Sequence, residues 1–123
     1  MTEAVRTPLP KERKSITHQT KILDPTGGSY TIFLTIGFYE DGGVGEIFIR
    51  VGKAGSTLNA LLDTIGILWS FGLQYGIPLE DLCSKFEATN FSPQGETTNE
   101  EIATCSSIVD YVAKWMRQFN GKV

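Results

Sequence analysis

Between Tyr30 and Val51 the apolar residues alternate, and after Gly55 they do not. That change of period constrains the fold more than any other feature of the chain. In "SYTIFLTIGFYE" the residues Tyr30, Ile32, Leu34, Ile36 and Phe38 fall on one side of an extended backbone, the two-residue period of a half-buried strand. "EDGG" at 40–43 is a tight hairpin signal, and "GEIFIRV" returns with Ile47, Ile49 and Val51 on one face and Phe48 and Arg50 on the other. Upstream, "SITHQTKIL" runs into "DPTGG", where Pro25 presets one backbone angle and Gly27-Gly28 accept positive φ. These segments predict an antiparallel β-meander.

After Gly55 the apolar residues Leu58, Leu61, Leu62, Ile65, Leu68, Trp69 and Gly72 recur at helical spacing, with Ser56 or Thr57 as the expected N-cap. The opposite flank is also apolar, through Ile67, Phe71 and Tyr75. A helix apolar nearly all round needs cover nearly all round. Either another subunit supplies it, or the second helix and the long loop do. Gly76 ends this helix and a short one restarts after Pro78, where a missing N–H is harmless. The 13-residue loop "EATNFSPQGETTN" is long for so small a domain, and such loops are often functional. "TTNEEIATCSSIVDYVAKWMRQF" is expected to form the last helix, with Thr98 and Glu101 at capping-box spacing. The expected fold is α+β: a meander of three or slightly more strands against two main helices and one short helix, in the order β-β-β-α-α-α. Residues 1–13, with Pro8 and Pro10 and no apolar period, predict a flexible N-terminal arm, and 14–123 a single domain.

At 123 residues there is room for one two-layer core. No apolar run is long enough to span a bilayer and the N-terminus lacks a secretory pattern, so a cytoplasmic protein is expected. The two cysteines, Cys83 and Cys105, sit apart among apolar residues, which predicts buried thiols and neither a metal centre nor a disulfide. The net charge is −3, yet residues 1–21 are basic while the remainder carries 12 acidic against 6 basic side chains. General nucleic-acid binding is therefore not expected.

"VGKAGSTLNALLD" at 51–63 lacks the Walker spacing, but it combines a helix start, Gly55, the hydroxyls of Ser56 and Thr57, and the cations Arg50 and Lys53. Phosphate binding is one reading, and plain helix capping is the other. In the long loop, Phe91 could stack on a base while Asn90 and Asn99 read its edge, with Lys114 or Arg117 at a phosphate; Phe91 could equally be a core anchor. His18 stands alone on a polar strand, and the carboxylates fall in turns or at a helix start, so no catalytic constellation, metal site or cofactor loop is expected.

"RKSITH" (13–18), "GFYEDG" (37–42), "GEIFIRVGKAGST" (45–57), "LQYGIPLEDLCSKF" (73–86), "NFSPQGETTN" (90–99) and "SIVDYVAKWM" (107–116) together resemble, in order and spacing, the C-terminal TSCPD-type domain of the vitamin B12-dependent ribonucleotide reductases. The resemblance implies an α+β domain in a nucleotide context, without the reductase's catalytic barrel. In scale and architecture the chain is also similar to the phage anti-Thoeris sponge proteins, which bind cyclic ADP-ribose-type signals or cyclic oligonucleotides without cleaving them. Two functions follow as expectations. One is a non-catalytic, homo-oligomeric binder of a small cyclic nucleotide, using Arg50, Lys53, Ser56, Thr57, Asn90, Phe91, Asn99, Lys114 and Arg117, with no cofactor. The other is an accessory or remnant domain of a ribonucleotide reductase that docks on a partner protein.

Overall fold

The computed structural model describes residues 3–52 and 55–119. Three long antiparallel strands form the meander: β1 (Ser15–Asp24), β2 (Gly28–Phe38) and β3 (Val44–Gly52). Helices α1 (Ser56–Gln74) and α2 (Leu79–Phe86) follow, then the short strands β4 (Gly95–Thr97) and β5 (Thr104–Cys105), and finally α3 (Ile108–Met116). The sheet order is β3-β2-β1-β4-β5, antiparallel throughout. The α+β meander expected from the alternation is present, and the two short strands extend it to five.

Alternation sorts the sheet into two faces. Ile22, Ile32, Leu34, Ile36, Ile47, Ile49 and Val51 are buried against Leu62, Trp69 and Leu73 of α1 and Ile108, Val112 and Met116 of α3. Among the described residues the other face holds no helix, and it carries Thr17, Gln19, Lys21, Phe33, Phe48 and Arg50.

α1 lies along the edge of β3, and its polar residues turn inward to that edge. Asn59 pairs with Val51 as a strand would: its Oδ1 accepts from Val51 N at 2.9 Å and its Nδ2 donates to Val51 O at 3.0 Å. Ser70 Oγ accepts from Ile47 N and donates to Ile47 O, and Gln74 Nε2 donates to Gly45 O. An edge strand offers just such unpaired groups to other chains, and here the helix satisfies those of Val51 and Ile47 and the Gly45 carbonyl. The close approach depends on Gly66, where a Cβ would stand 3.0 Å from Ile47 O. The apolar outer arc of α1, through Leu61, Ile67, Leu68, Phe71 and Tyr75, is left exposed; α2 and the long loop do not cover it.

Two local expectations are corrected. The last helix begins at Ile108, with Ser107 Oγ accepting from Asp110 N as the N-cap, and not near Thr98. Side chains in 97–102 bond their own backbone instead: Thr97 Oγ1 donates to Ile102 O, and Asn99 Oδ1 accepts from Glu101 N to cap one 3₁₀ turn. At α1 the N-cap is Gly55, in extended geometry with no side-chain cap, so neither Ser56 nor Thr57 caps the helix.

The stretch 3–13 has no helix or strand, and it lies along the domain. Thr7 N donates to Gln74 O, Arg6 Nε to Gln74 Oε1, and Tyr39 Oη to Thr7 O. Arg13 grips Glu46 through Nε at 2.6 Å and Nη2 at 3.1 Å.

Candidate functional site

The residues expected to hold a nucleotide come from three places in the fold, of which α3 and the long loop adjoin at one recess while β3 and the start of α1 lie apart from them. Arg50 lies on the open face of β3, and Ser56 and Thr57 open α1 beside that strand's end, all three exposed. Arg50 has no ion pair among the described residues. The first turn of α1 carries neither a side-chain cap nor an acidic residue. Lys53 lies outside the described residues.

Lys114 and Arg117 extend from α3, and both are occupied by carboxylates. Lys114 Nζ donates to Asp110 Oδ2 at 3.0 Å, one turn back. Asp110 is fully buried and also accepts from Ala88 N and Ser106 N. Burial pushes its carboxyl up, but those hydrogen bonds and Lys114 outweigh it, and the net shift is downward. Arg117 is clamped between α2 and the segment after it: Nη1 and Nη2 meet the two oxygens of Glu87 at 2.7 and 3.1 Å, and Nε meets Glu80 at 2.9 Å. Glu87 and Glu80 raise the guanidinium pKa, and Arg117 in turn holds both carboxyls below the usual range. A cation held this way is a tie between elements and not an open anion contact.

The loop residues form the third group. Phe91 N donates to Ser106 O while its ring is partly exposed, and Asn90 Oδ1 accepts from Gln94 Nε2. Asn99 serves the fold, capping the 3₁₀ turn and donating through Nδ2 to the Tyr111 hydroxyl. The β4–β5 region beside this loop and the Arg50 strand β3 are kept apart by β1 and β2. Three strand spacings amount to roughly 14 Å. That separation sets Arg50, Ser56 and Thr57 apart from Asn90, Phe91 and Asn99.

A recess of about 650 Å³ opens between β4, β5 and α3, lined among others by Asp24, Gln94, Cys105, Asp110 and Lys114. Its two buried acids give it the wrong sign for phosphate. Asp24 accepts from Thr26 N, Thr26 Oγ1 and Gln94 N, and these bonds hold its carboxyl below the usual range. Burial pushes the Cys105 thiol up, and the Cys83 thiol up to about 11, so both stay protonated near neutrality and are poor nucleophiles. No group of three or more His, Cys, Asp or Glu side chains among the described residues could hold a metal ion, and no helix among them is long and apolar enough to cross a membrane.

His18 lies on the strand expected from the sequence, β1, and its partners there are structural. It faces the core side of β1, stacked on Trp115 at 4.9 Å between ring centroids, with Nε2 2.7 Å from the Tyr111 hydroxyl. Burial lowers its pKa. The signal was available in the alternation of β1, where His18 shares a face with Thr20 and Ile22.

A family model described as the TSCPD domain matches residues 5–120. Among curated proteins, a vitamin B12-dependent ribonucleotide reductase of Rhodopirellula baltica is 42% identical over 108 residues, covering 88% of this chain and 10% of its own length. The corresponding protein of Streptomyces coelicolor is 41% identical, covering 88% and 11%, and that of Bradyrhizobium diazoefficiens 37%, covering 87% and 8%. The chain thus spans about a tenth of the length of these relatives. No solved structure gives a significant match.

Proposed function

The chain belongs to the TSCPD domain family, and from that premise we propose that it is a non-catalytic accessory domain that docks on a ribonucleotide reductase chain through the outer arc of α1. One observation carries the reading: Leu61, Ile67, Leu68, Phe71 and Tyr75 stand side by side on that arc, each between 44% and 66% exposed. Five such side chains present on the order of 500 Å² of largely apolar surface, at the upper end of what a monomer leaves uncovered and more than half of one side of a standard interface. In the relatives the matching region is about a tenth of a long chain, so it has a large protein beside it to supply the cover. The inward polar residues of α1 support the same assignment, because a helix that turns Asn59, Ser70 and Gln74 to its own sheet leaves an outward arc that is mostly apolar, with Thr64 in it and Asp63 beside it.

The alternative is a homo-oligomeric binder of a cyclic nucleotide, and its support is the exposed Arg50 beside the uncapped start of α1. It has less behind it, since Lys114 and Arg117 are tied to carboxylates and the remaining candidates do not converge. Size-exclusion chromatography separates the two. The chain is expected to co-elute with a purified vitamin B12-dependent ribonucleotide reductase from which the matching region has been deleted. Leu68→Asp with Phe71→Asp should weaken that complex by tenfold or more, loss of two central apolar contacts being worth over 1.4 kcal/mol. Elution alone, together with stoichiometric retention of an intact cyclic nucleotide in native mass spectrometry, would instead establish the binder.

A further inference from the structure

The open face of the sheet is a second surface, built from different residues. In register, Phe33 on β2 stands opposite Gln19 on β1 and Arg50 on β3, while Phe48 on β3 stands opposite Thr35. The two phenyl rings therefore occupy diagonal positions on neighbouring strands, which lie about 7–8 Å apart. Lys21, opposite Thr31, is diagonal to Phe33 on the other side. Because the helices cover the opposite face, Phe33 and Phe48 are 38% and 54% exposed.

We propose that this face binds single-stranded nucleic acid, with successive bases stacked on Phe33 and Phe48, the Gln19 amide at a base edge, and Lys21 and Arg50 at the phosphates. Every base has a π-face, so aromatic side chains on an uncovered sheet make a sequence-tolerant platform when cations flank them. The flanking charges have the right sign. Neither Lys21 nor Arg50 has an ion pair among the described residues, and Glu46, the acid of that face on β3, is engaged by Arg13. Glu96 on β4 pairs with Leu23 of β1 and Asp63 borders Phe48 on the α1 side, so the bases lie between those two acids, across Phe48 and Phe33. Much of the acidity behind the net charge of −3 is elsewhere: Asp24 and Asp110 are buried, and Glu80 and Glu87 hold Arg117. Polar Thr17, Gln19, Thr31 and Thr35 around the two rings suit a wet, phosphate-bearing ligand better than a second apolar protein surface. Two rings one diagonal step apart call for two linked bases, which selects a strand over a free nucleotide.

Fluorescence anisotropy with a labelled 12-nucleotide oligodeoxyadenylate tests the assignment. Binding is expected at low salt, with log Kobs falling against log[salt] at a slope of about −1.4 for two phosphates and about −0.7 after Arg50→Gln. Phe33→Ala with Phe48→Ala should weaken binding by about tenfold or more, with the circular dichroism spectrum unchanged. Phe71→Asp should leave it intact, which keeps this result separate from the reductase-docking proposal. No binding by the wild-type chain, equal binding by the double alanine variant, or dAMP competing as well per base as the oligomer would each overturn it.

Discussion

At the scale of single residues, the most informative contact is His18 with Tyr111. Asn99 Nδ2 donates to the Tyr111 hydroxyl, which also lies 2.7 Å from His18 Nε2 in a contact whose donor depends on the ring's tautomer. Burial lowers the histidine pKa below the ordinary value near 6.5. With the folded pKa depressed, the stabilising contribution is fully present above the unfolded pKa and is lost as pH falls through the folded one. Thermal stability should therefore be flat between pH 8 and 7 and decline below about 6.5. The decline should be absent from His18→Gln down to the carboxylate range, where Asp24, Asp110, Glu80 and Glu87, all depressed, give a second loss in both proteins. Melting curves of the two proteins across pH 8 to 5 check this, and parallel profiles would contradict it. Residue-level roles were only partly legible. Lys114 and Asp110 are one helical turn apart, so their pairing could be read from spacing; the acids that hold Arg117 lie 37 and 30 residues away in the sequence, and no local pattern reveals them.

At the scale of elements, α1 inverts the usual arrangement of an amphipathic helix. Periodicity locates its apolar residues correctly, but it assigns any polar stripe to solvent, whereas Asn59, Ser70 and Gln74 replace the missing neighbour of β3. Asn59→Ala should cost about 1–3 kcal/mol, since it leaves the N–H and C=O of Val51 without partners. Urea unfolding measures the loss, and a change of a few tenths would show that water serves the edge as well. The long strands were legible because ten or so residues carry an unmistakable period. β4 and β5, with three and two residues, carry none, and the Thr/Asn bonds ahead of α3 mimic a capping box nine residues before the true N-cap, Ser107.

At the scale of the whole molecule, this chain presents two surfaces that its own fold leaves largely uncovered: the apolar arc of α1, where Arg6 lies over Phe71 alone, and the aromatic, basic face of the sheet. The residues expected to form one nucleotide pocket are dispersed over both edges of the sheet, because sequence spacing gives no warning that β1 and β2 separate β3 from β4. Docking on a reductase is proposed for the first surface. Hydrogen–deuterium exchange of the chain, alone and with a vitamin B12-dependent ribonucleotide reductase lacking the matching region, tests it most directly. Slowed exchange confined to peptides spanning residues 61–75 is predicted; unchanged exchange there with the reductase at saturating concentration would contradict it.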